Sequence, residues 1–440
     1  MLAIRRLLSR LVGTHTLVMA ASTLETRVCT CDPSSITYRE DGSVSISAPE
    51  TETALRAASE ILAKDKKVVV FPTETVYGLG ASALDPSAVS LIYSTKGRPS
   101  DNPLIVHVSS RAMLHSLLPP SYTIPSTYAK LMDAFWPGPL TLLFPTNPDV
   151  VPSNVTAGHT TVAVRMPSHL VARALITLAN TPLAAPSANS SGKPSPTKAE
   201  HVAADLQGRV SLILDGGPCD VGLESTVVDG LAADGHLRVL RPGGVTVEDL
   251  ERVVEGSGVN VLVHCRDYKD EQQEAAPTTP GMKYRHYAPR SPVYLLMQTS
   301  TENPESGAGV EKVPRVRVAI ASLLSQLPCA AAVREVGQAG ARPVKVGLLS
   351  CPDSPLTAAL STFEWDDGAG PRVRVEWIRR ALGGLGEPSA TARVLFDGLI
   401  SLDQEEVDVI LVEGIEETRE GLAVMNRVRK AAGETVWVRV

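Results

Sequence analysis

Two short β-branched runs, Val68-Val-Val-Phe71 and Leu104-Ile-Val-His-Val108, bracket a segment crowded with polar, cationic and titratable residues, Phe71-Pro-Thr-Glu-Thr-Val-Tyr-Gly-Leu-Gly80 and Lys96-Gly-Arg98-Pro-Ser-Asp-Asn102. Apolar runs of this length bounded by Pro and Gly are buried strands, so the chain must build a sheet here and hold the intervening polar groups on its rigid edges. Between the runs, Asp85-Pro86 offers a helix N-cap and a first-turn proline, Val89, Ile92 and Tyr93 form a helical stripe, and Gly97 is a C-terminal stop. That helix delivers Lys96 and Arg98 into a loop. Two cations one Gly apart can face one polyanion, Arg with a planar fork and Lys with a point charge. A lone Lys-Gly-Arg is weak evidence, because charge pairs are mostly solvated surface.

The same character recurs further on. Ala184-Ala-Pro-Ser187-Ala-Asn189-Ser-Ser-Gly-Lys193-Pro-Ser195-Pro-Thr197 follows a short apolar strand, and its small hydroxyl residues and Gly allow close backbone approach to phosphate oxygens. Gly192-Lys193 is not a Walker A loop, since the upstream Gly spacing is missing and Pro194 stands where a magnesium-binding hydroxyl is needed. Thr160-Thr161-Val-Ala-Val-Arg165-Met-Pro reads as a strand ending in Arg, and Leu237-Arg-Val-Leu-Arg241-Pro-Gly-Gly repeats the arrangement. Glu224-Ser225-Thr226-Val-Val-Asp229 comes after the Asp215-Gly-Gly turn. Taken singly, each Arg reads as a surface ion pair. Together, strand ends carrying cations, hydroxyls and the single His107 describe a small-molecule phosphate site.

At 440 residues the chain exceeds what one hydrophobic core organises, and its 43% hydrophobic and 20% charged content is ordinary for a globular protein. A helix is expected from about Glu50 to Lys64 with Leu55, Ala58, Ile61 and Leu62 on one face, followed by alternating strands and helices to about Val263. Residues 48–264 thus form an α/β domain, and the Glu-, Gln-, Pro- and Thr-rich segment 265–292 a linker. In 293–440, Val293-Tyr-Leu-Leu-Met, Val316-Arg-Val-Ala-Ile, Val344-Lys-Val-Gly-Leu-Leu and Val407-Asp-Val-Ile-Leu-Val read as strands. They alternate with helical stretches such as Ser389 to Leu399, which predicts a parallel βαβ domain. The segments near 301–312 and 366–370 read as surface loops.

Residues 1–47 read as a tail. Arg5, Arg6 and Arg10, with no acid before Glu25, make its start resemble a transit peptide, and Met19 offers a second start that omits it. Cys29-Thr-Cys31 reads as part of this flexible tail. The six cysteines lack metal-ligand or dense disulfide spacing, which places the chain in a reduced, intracellular setting. No run reaches the roughly 18 apolar residues of a membrane span, and a net charge of −6 shows no whole-chain nucleic-acid footprint.

The ordered motifs Pro72-Thr-Glu-Thr-Val-Tyr-Gly-Leu-Gly80, Lys96-Gly-Arg98, Asp101-Asn-Pro-Leu-Ile-Val-His107, Trp136-Pro-Gly-Pro-Leu-Thr141, Val162-Ala-Val-Arg-Met-Pro167, Ala185-Pro-Ser-Ala-Asn189 and Arg241-Pro-Gly resemble the YrdC-like threonylcarbamoyl-AMP synthases. Pro280-Gly-Met-Lys-Tyr-Arg-His-Tyr-Ala-Pro289 and Gly421-Leu-Ala-Val-Met-Asn-Arg-Val-Arg-Lys430 resemble the linker and terminal helix of the long, two-domain form. The resemblance implies an α/β fold, with a twisted open mixed sheet carrying a concave groove and a smaller Rossmann-like C-terminal domain. It implies that L-threonine, bicarbonate or carbon dioxide, and ATP become L-threonylcarbamoyladenylate and pyrophosphate. The product then passes to a tRNA threonylcarbamoyl-transferase complex, with a contact to tRNA also in view.

By the same resemblance Thr75, His107, Arg165, Ala185 and Ser225 hold threonine, with Thr75 and the wall near Ala185 facing its methyl. Arg98, Asn102, Thr161, Ser187, Ser195, Arg241 and the linker Tyr287 hold ATP, with Lys96 and Asn189 near the phosphates and Lys96 and Arg98 supporting the chemistry. His107 is read as a carboxylate ligand over a general base. Magnesium is implied by the triphosphate, with no carboxylate cluster to cage it. Location is expected in the cytoplasm and, through the N-terminal extension, in mitochondria. The competing reading is an RNA-binding or ribosome-assembly factor with a basic groove. Carbamoyl-adenylate chemistry on another acceptor, as in hydrogenase-maturation proteins, lacks its accompanying acylphosphatase-like and zinc-finger-like segments here.

Overall fold

The computed structural model describes residues 24–39, 41–264, 266–268, 278–279, 286–299, 314–326, 342–361 and 374–440. Its strands begin with β1 (Arg27–Thr30), β2 (Ile36–Tyr38), β3 (Val44–Ile46), β4 (Val69–Phe71), β5 (Gly78–Ser82), β6 (Ile105–His107) and β7 (Leu140–Pro145). They continue with β8 (Thr161–Arg165), β9 (Leu183–Ala184), β10 (Leu212–Asp215), β11 (Thr226–Asp229), β12 (Leu237–Arg241) and β13 (Val261–Val263). Apart from the β2–β3 hairpin, these form one eleven-stranded mixed sheet in the order β1-β10-β4-β5-β9-β6-β8-β7-β11-β12-β13.

Each buried strand feeds two cores, because successive side chains leave opposite faces. In β4, Val69 and Phe71 enter one apolar cluster and Val70 the other. The expected helix near Glu50 is found at Pro49–Ala63, burying Ala54, Leu55, Ala58 and Leu62. The helix Pro86–Lys96 also starts and stops as its sequence dictates. Asp85 accepts from the Ser87 and Ala88 N–H groups at 2.9 and 3.1 Å, and Gly97 ends the helix in the left-handed region at φ 63°.

The second sheet is wholly parallel. Its strands are β14 (Val293–Gln298), β15 (Val344–Ser350), β16 (Val375–Ala381), β17 (Val409–Glu413) and β18 (Glu434–Val438), in the order β16-β15-β17-β14-β18. The helix Pro388–Gln404 contains the stretch expected at Ser389 to Leu399.

Two expectations are overturned. Val316-Arg-Val-Ala-Ile is the first half of a helix, Val316–Ser325, which buries Val316, Ala319, Ile320, Leu323 and Leu324. That is a 3.6-residue stripe, and five residues of it with two β-branched valines imitate a strand. The segment Cys29-Thr-Cys31 is not a flexible tail either. β1 pairs in parallel with β10 from Arg27↔Leu212 to Thr30↔Asp215, Cys31 is 3% exposed, and the β2–β3 hairpin follows. The folded chain therefore includes residues from 24 on, ahead of the expected start at 48. An edge strand as polar as Arg-Val-Cys-Thr, three of its four residues exposed, has no hydrophobic pattern to read. The leader 1–23, the linker residues 280–285 and the loops expected at 301–312 and 366–370 lie outside the described residues.

The two sheets share a core. Val76 and Leu223 from the first domain join Leu395, Phe396 and Leu399 from the second, with the linker Tyr287 among them. Polar contacts flank this seam: Arg393 Nε donates to the Asp220 carbonyl at 2.9 Å, and Lys198 pairs with Asp397 at 2.9 Å.

Candidate active site

Strand register brings the site together. His107 of β6 pairs with Arg165 of β8, Arg165 with Thr141 of β7, Thr141 with Val227 of β11, and Val227 with Arg241 of β12. Residues paired across neighbouring strands share a face, so one row carries an imidazole, a hydroxyl and two guanidinium groups onto the same side of the sheet. Above that row lies an open cleft of about 550 Å³. Nine of the expected residues line it: Thr75, Arg98, His107, Arg165, Ala185, Ser187, Ser225, Arg241 and Tyr287.

Each cation is fixed by a specific partner. Arg165 donates through Nη1 to Thr75 Oγ1 at 3.0 Å, and its Nη2 lies 3.6 Å from Glu74 Oε1. Arg98 donates through Nη2 to the Asn102 and Pro103 carbonyls at 3.3 and 3.1 Å, which anchors it at the approach to β6. Arg241 holds the Ser225 carbonyl through Nε and Nη2 at 3.1 and 2.9 Å and reaches Ser225 Oγ at 3.2 Å. Burial lowers the pKa of all three guanidinium groups, to about 10 for Arg98 and Arg241, yet leaves them charged near neutrality. Arg98 Nε and Arg165 Nε are buried donors without a partner. The three side chains are 9%, 2% and 4% exposed, so their charge is recessed within the cleft and not spread over an outer surface along which an RNA backbone could lie.

His107 belongs to the same row but is not a cation. Burial first, then the neighbouring Arg165, push its pKa well below the usual imidazole value, while Nδ1 lies 3.2 Å from the Ile105 carbonyl. It is therefore a neutral group fixed in orientation. The expected consequence is that KM for a carboxylate substrate shows no imidazole titration between about pH 6 and 8. An inflection near about pH 6.5 in the wild type, lost in His107→Gln, would contradict this.

Five expected residues, Lys96, Asn102, Thr161, Asn189 and Ser195, stand outside the cleft lining. Lys96 is 3% exposed and donates to the Ser187 and Asn189 carbonyls at 2.5 and 2.6 Å, with Asn189 Oδ1 at 3.5 Å. Its ammonium fastens the Ser187–Asn189 loop from behind, and burial sets its pKa well below the ordinary lysine value. Asn189 completes that lock by donating to the Ser190 and Lys193 carbonyls at 2.8 and 3.0 Å. Ser195 donates to Glu224 Oε1 at 2.7 Å. Asn102 precedes β6, and Thr161 opens β8 about 13 Å along the strand from Arg165, away from the row.

Several residues went unread in the sequence. Thr73 Oγ1 lies 2.8 Å from Thr75 Oγ1 and fixes that hydroxyl, Glu74 orients Arg165, and Glu224 and the linker His286 line the cleft. Glu74 and Glu224 both sat inside quoted motifs. Carboxylates there could have been read as the counter-charges that buried arginines require. Gly243 is also explained: a Cβ on it would lie 2.3 Å from the Glu224 carbonyl oxygen, so only Gly lets the Arg241-Pro-Gly turn pass against the 224–226 backbone. Among the described residues no group of three His, Cys, Asp or Glu converges on a metal-sized site, and no helix is long and apolar enough to cross a membrane.

Residues 61–243 match the Sua5/YciO/YrdC family model, described as telomere recombination, and residues 245–433 match the model described as threonylcarbamoyl-AMP synthase, C-terminal domain. The threonylcarbamoyl-AMP synthase of Bacillus subtilis is 41% identical over 86% of this chain and 93% of its own length. That of Schizosaccharomyces pombe is 40% identical over 93% of this chain and 98% of its own. The structure of P. abyssi Sua5 complexed with L-threonine matches 94% of this chain and 100% of that one, with 38% identity and a TM-score of 0.67.

Proposed function

This chain belongs to the two-domain Sua5/YrdC family of threonylcarbamoyl-AMP synthases, and we propose that its cleft joins L-threonine, bicarbonate or carbon dioxide, and ATP into L-threonylcarbamoyladenylate. The amine nitrogen of threonine forms a bond to the carbon of carbon dioxide and releases a proton to water, or condenses with bicarbonate and releases water, to give a carbamate. A carbamate oxygen then forms a bond to the α-phosphorus, and the bond to the leaving pyrophosphate breaks with its electron pair. No protein nucleophile is required, so catalysis rests on positioning and on stabilising negative charge.

The observation that carries this reading is the pair of unpartnered buried donors, Arg165 Nε and Arg98 Nε, within one cleft. Buried donors are seldom left unpaired, and guanidinium groups match carboxylate and phosphate geometry. Arg165, with Thr75, neutral His107, Ala185 and Ser225, takes threonine. Arg98, Arg241, Ser187 and Tyr287 take the nucleotide, with Asn102 and Thr161 at the far end of the groove. Lys96, Asn189 and Ser195 support the walls that these residues occupy.

Magnesium accompanies ATP as part of the substrate, bound by phosphate oxygens and water. The one carboxylate lining the cleft, Glu224, is committed to Arg427 and Ser195, so no step is routed through a protein-held metal. The adenylate serves tRNA threonylcarbamoylation by a separate transferase complex, and the basic, acid-free leader supports mitochondrial as well as cytoplasmic placement.

The test is to incubate the full chain with ATP, magnesium, bicarbonate and each amino acid in turn, following pyrophosphate and the adenylate by mass spectrometry. Threonine-dependent release is expected. No release with any amino acid, from a folded protein that binds RNA with steep salt dependence, would replace the synthase with an RNA-binding factor.

A further inference from the structure

Glu224 is built into the cleft wall by one contact within its own domain and one that crosses from the second domain. Its Oε1 accepts from Ser195, and its Oε2 accepts from Arg427 Nε at 3.0 Å. Arg427 lies on the helix Glu420–Ala431 of the second domain and is 0% exposed. Its Nη1 donates to the Pro242 carbonyl, next to Arg241, and its guanidinium carbon lies 5.9 Å from the centre of the Tyr287 ring. A guanidinium at this depth needs a countercharge, which Glu224 supplies, although Arg427 Nη2 is left a buried donor without a partner.

We propose that Arg427 is a positioning residue for the nucleotide half of the cleft, contributed by the second domain, which acts by holding Glu224 and the Pro242 carbonyl and through them Ser195, Arg241 and Tyr287. The proposal rests on the synthase reading above, since it takes that half of the cleft to receive ATP. Arg427 does not line the cleft itself, so its influence passes through the residues it holds.

The charged and titratable groups facing Glu224 are Arg427 from the helix, Arg241 from β12, Lys96 from the end of Pro86–Lys96, and His286 and Tyr287 from the linker. Burial pushes the Glu224 carboxyl up, but Arg427, then Arg241 and the Ser195 hydroxyl, outweigh it and set its pKa at about 2. In the wild type Glu224 is therefore ionised throughout the working range. Without Arg427 the strongest downward pull is gone and the pKa moves up, with Arg241 and Ser195 still holding it down. The carboxylate also loses the contact that fixes its orientation toward Ser195.

The experiment compares Arg427→Lys, Arg427→Met, Glu224→Gln and the double variant Arg427→Met/Glu224→Gln in the full chain. It measures kcat, KM for ATP and KM for threonine, with ATP affinity by calorimetry and melting temperature alongside. Arg427→Met is expected to raise KM for ATP by about tenfold or more, the worth of a hydrogen bond to a charged group, with KM for threonine nearly unchanged. Arg427→Lys should recover part of the defect, and the double variant should be less impaired than the two single effects multiplied. Equal rises in both KM values that track melting temperature, or multiplicative single effects, would reduce Arg427 to a domain-packing residue and overturn the proposal. If the wild type releases no pyrophosphate but binds ATP, the synthase reading fails while calorimetry still judges Arg427. If it binds no ATP, both fall.

Discussion

Replacing Arg165 by Met is expected to lower kcat/KM for threonine by about a thousandfold, as two charge-assisted hydrogen bonds at roughly 1.5–3 kcal/mol each imply, while ATP affinity changes little. The guanidinium is 2% exposed, in line with His107 across the sheet, and carries a buried Nε donor with no partner. Removing it also strands the buried Glu74 carboxylate, whose only cation within ion-pair distance among the described residues is Arg165 at 3.6 Å. Breaking a buried pair on one side costs about 3–5 kcal/mol, so a fall in melting temperature is part of the expected result. The stability effect separates from the binding effect in Arg165→Met/Glu74→Gln, which should regain melting temperature without regaining threonine dependence. Recovery of threonine turnover in that double variant would show that Arg165 only balances Glu74.

Arg98→Ala should cut threonine-dependent pyrophosphate release by about 10²–10³-fold, the scale for removing one preorganised donor aimed at developing charge, and should weaken ATP binding without changing KM for threonine. Arg98 reaches the cleft from the residue after a glycine helix stop, and its Nη2 grips the two carbonyls before β6. Arg98→Lys keeps a charge but cannot reproduce the fork, so most of the defect should persist. Full activity in Arg98→Lys would assign the residue to simple charge balance. Loss of threonine affinity in Arg98→Ala would place the two substrates in the opposite halves of the groove.

Much of the site was legible because polar residues inside apolar strand runs have few structural reasons to be there. Arg165 and Arg241 end buried strands, and His107 closes one, so their side chains had to be used or neutralised. The contacts of Lys96 were not legible, because nothing in Lys-Gly-Arg tells which cation turns toward the Ser187–Asn189 carbonyls. Local pattern also failed where an element drew stability from partners distant in sequence. β1 is held by β10, some 185 residues away, and its own four residues carry too little apolar character to announce it. Val316-Arg-Val-Ala-Ile failed differently, since the helical period emerges only when Leu323 and Leu324 are included.

The sequence by itself determined the buried strands, the capped helix before Arg98, the parallel character of the second domain and the set of residues able to meet an anion. These are local properties, written in periods of two and 3.6 residues and in Pro, Gly and Asp at the ends. Only the tertiary structure decided which of those residues meet. Register across five strands sets His107, Arg165 and Arg241 in one row, and the packing of the second domain drives Arg427 onto Glu224. Register and domain seating depend on burial summed over many distant pairs, and a buried charge finds its partner only once that burial has excluded water.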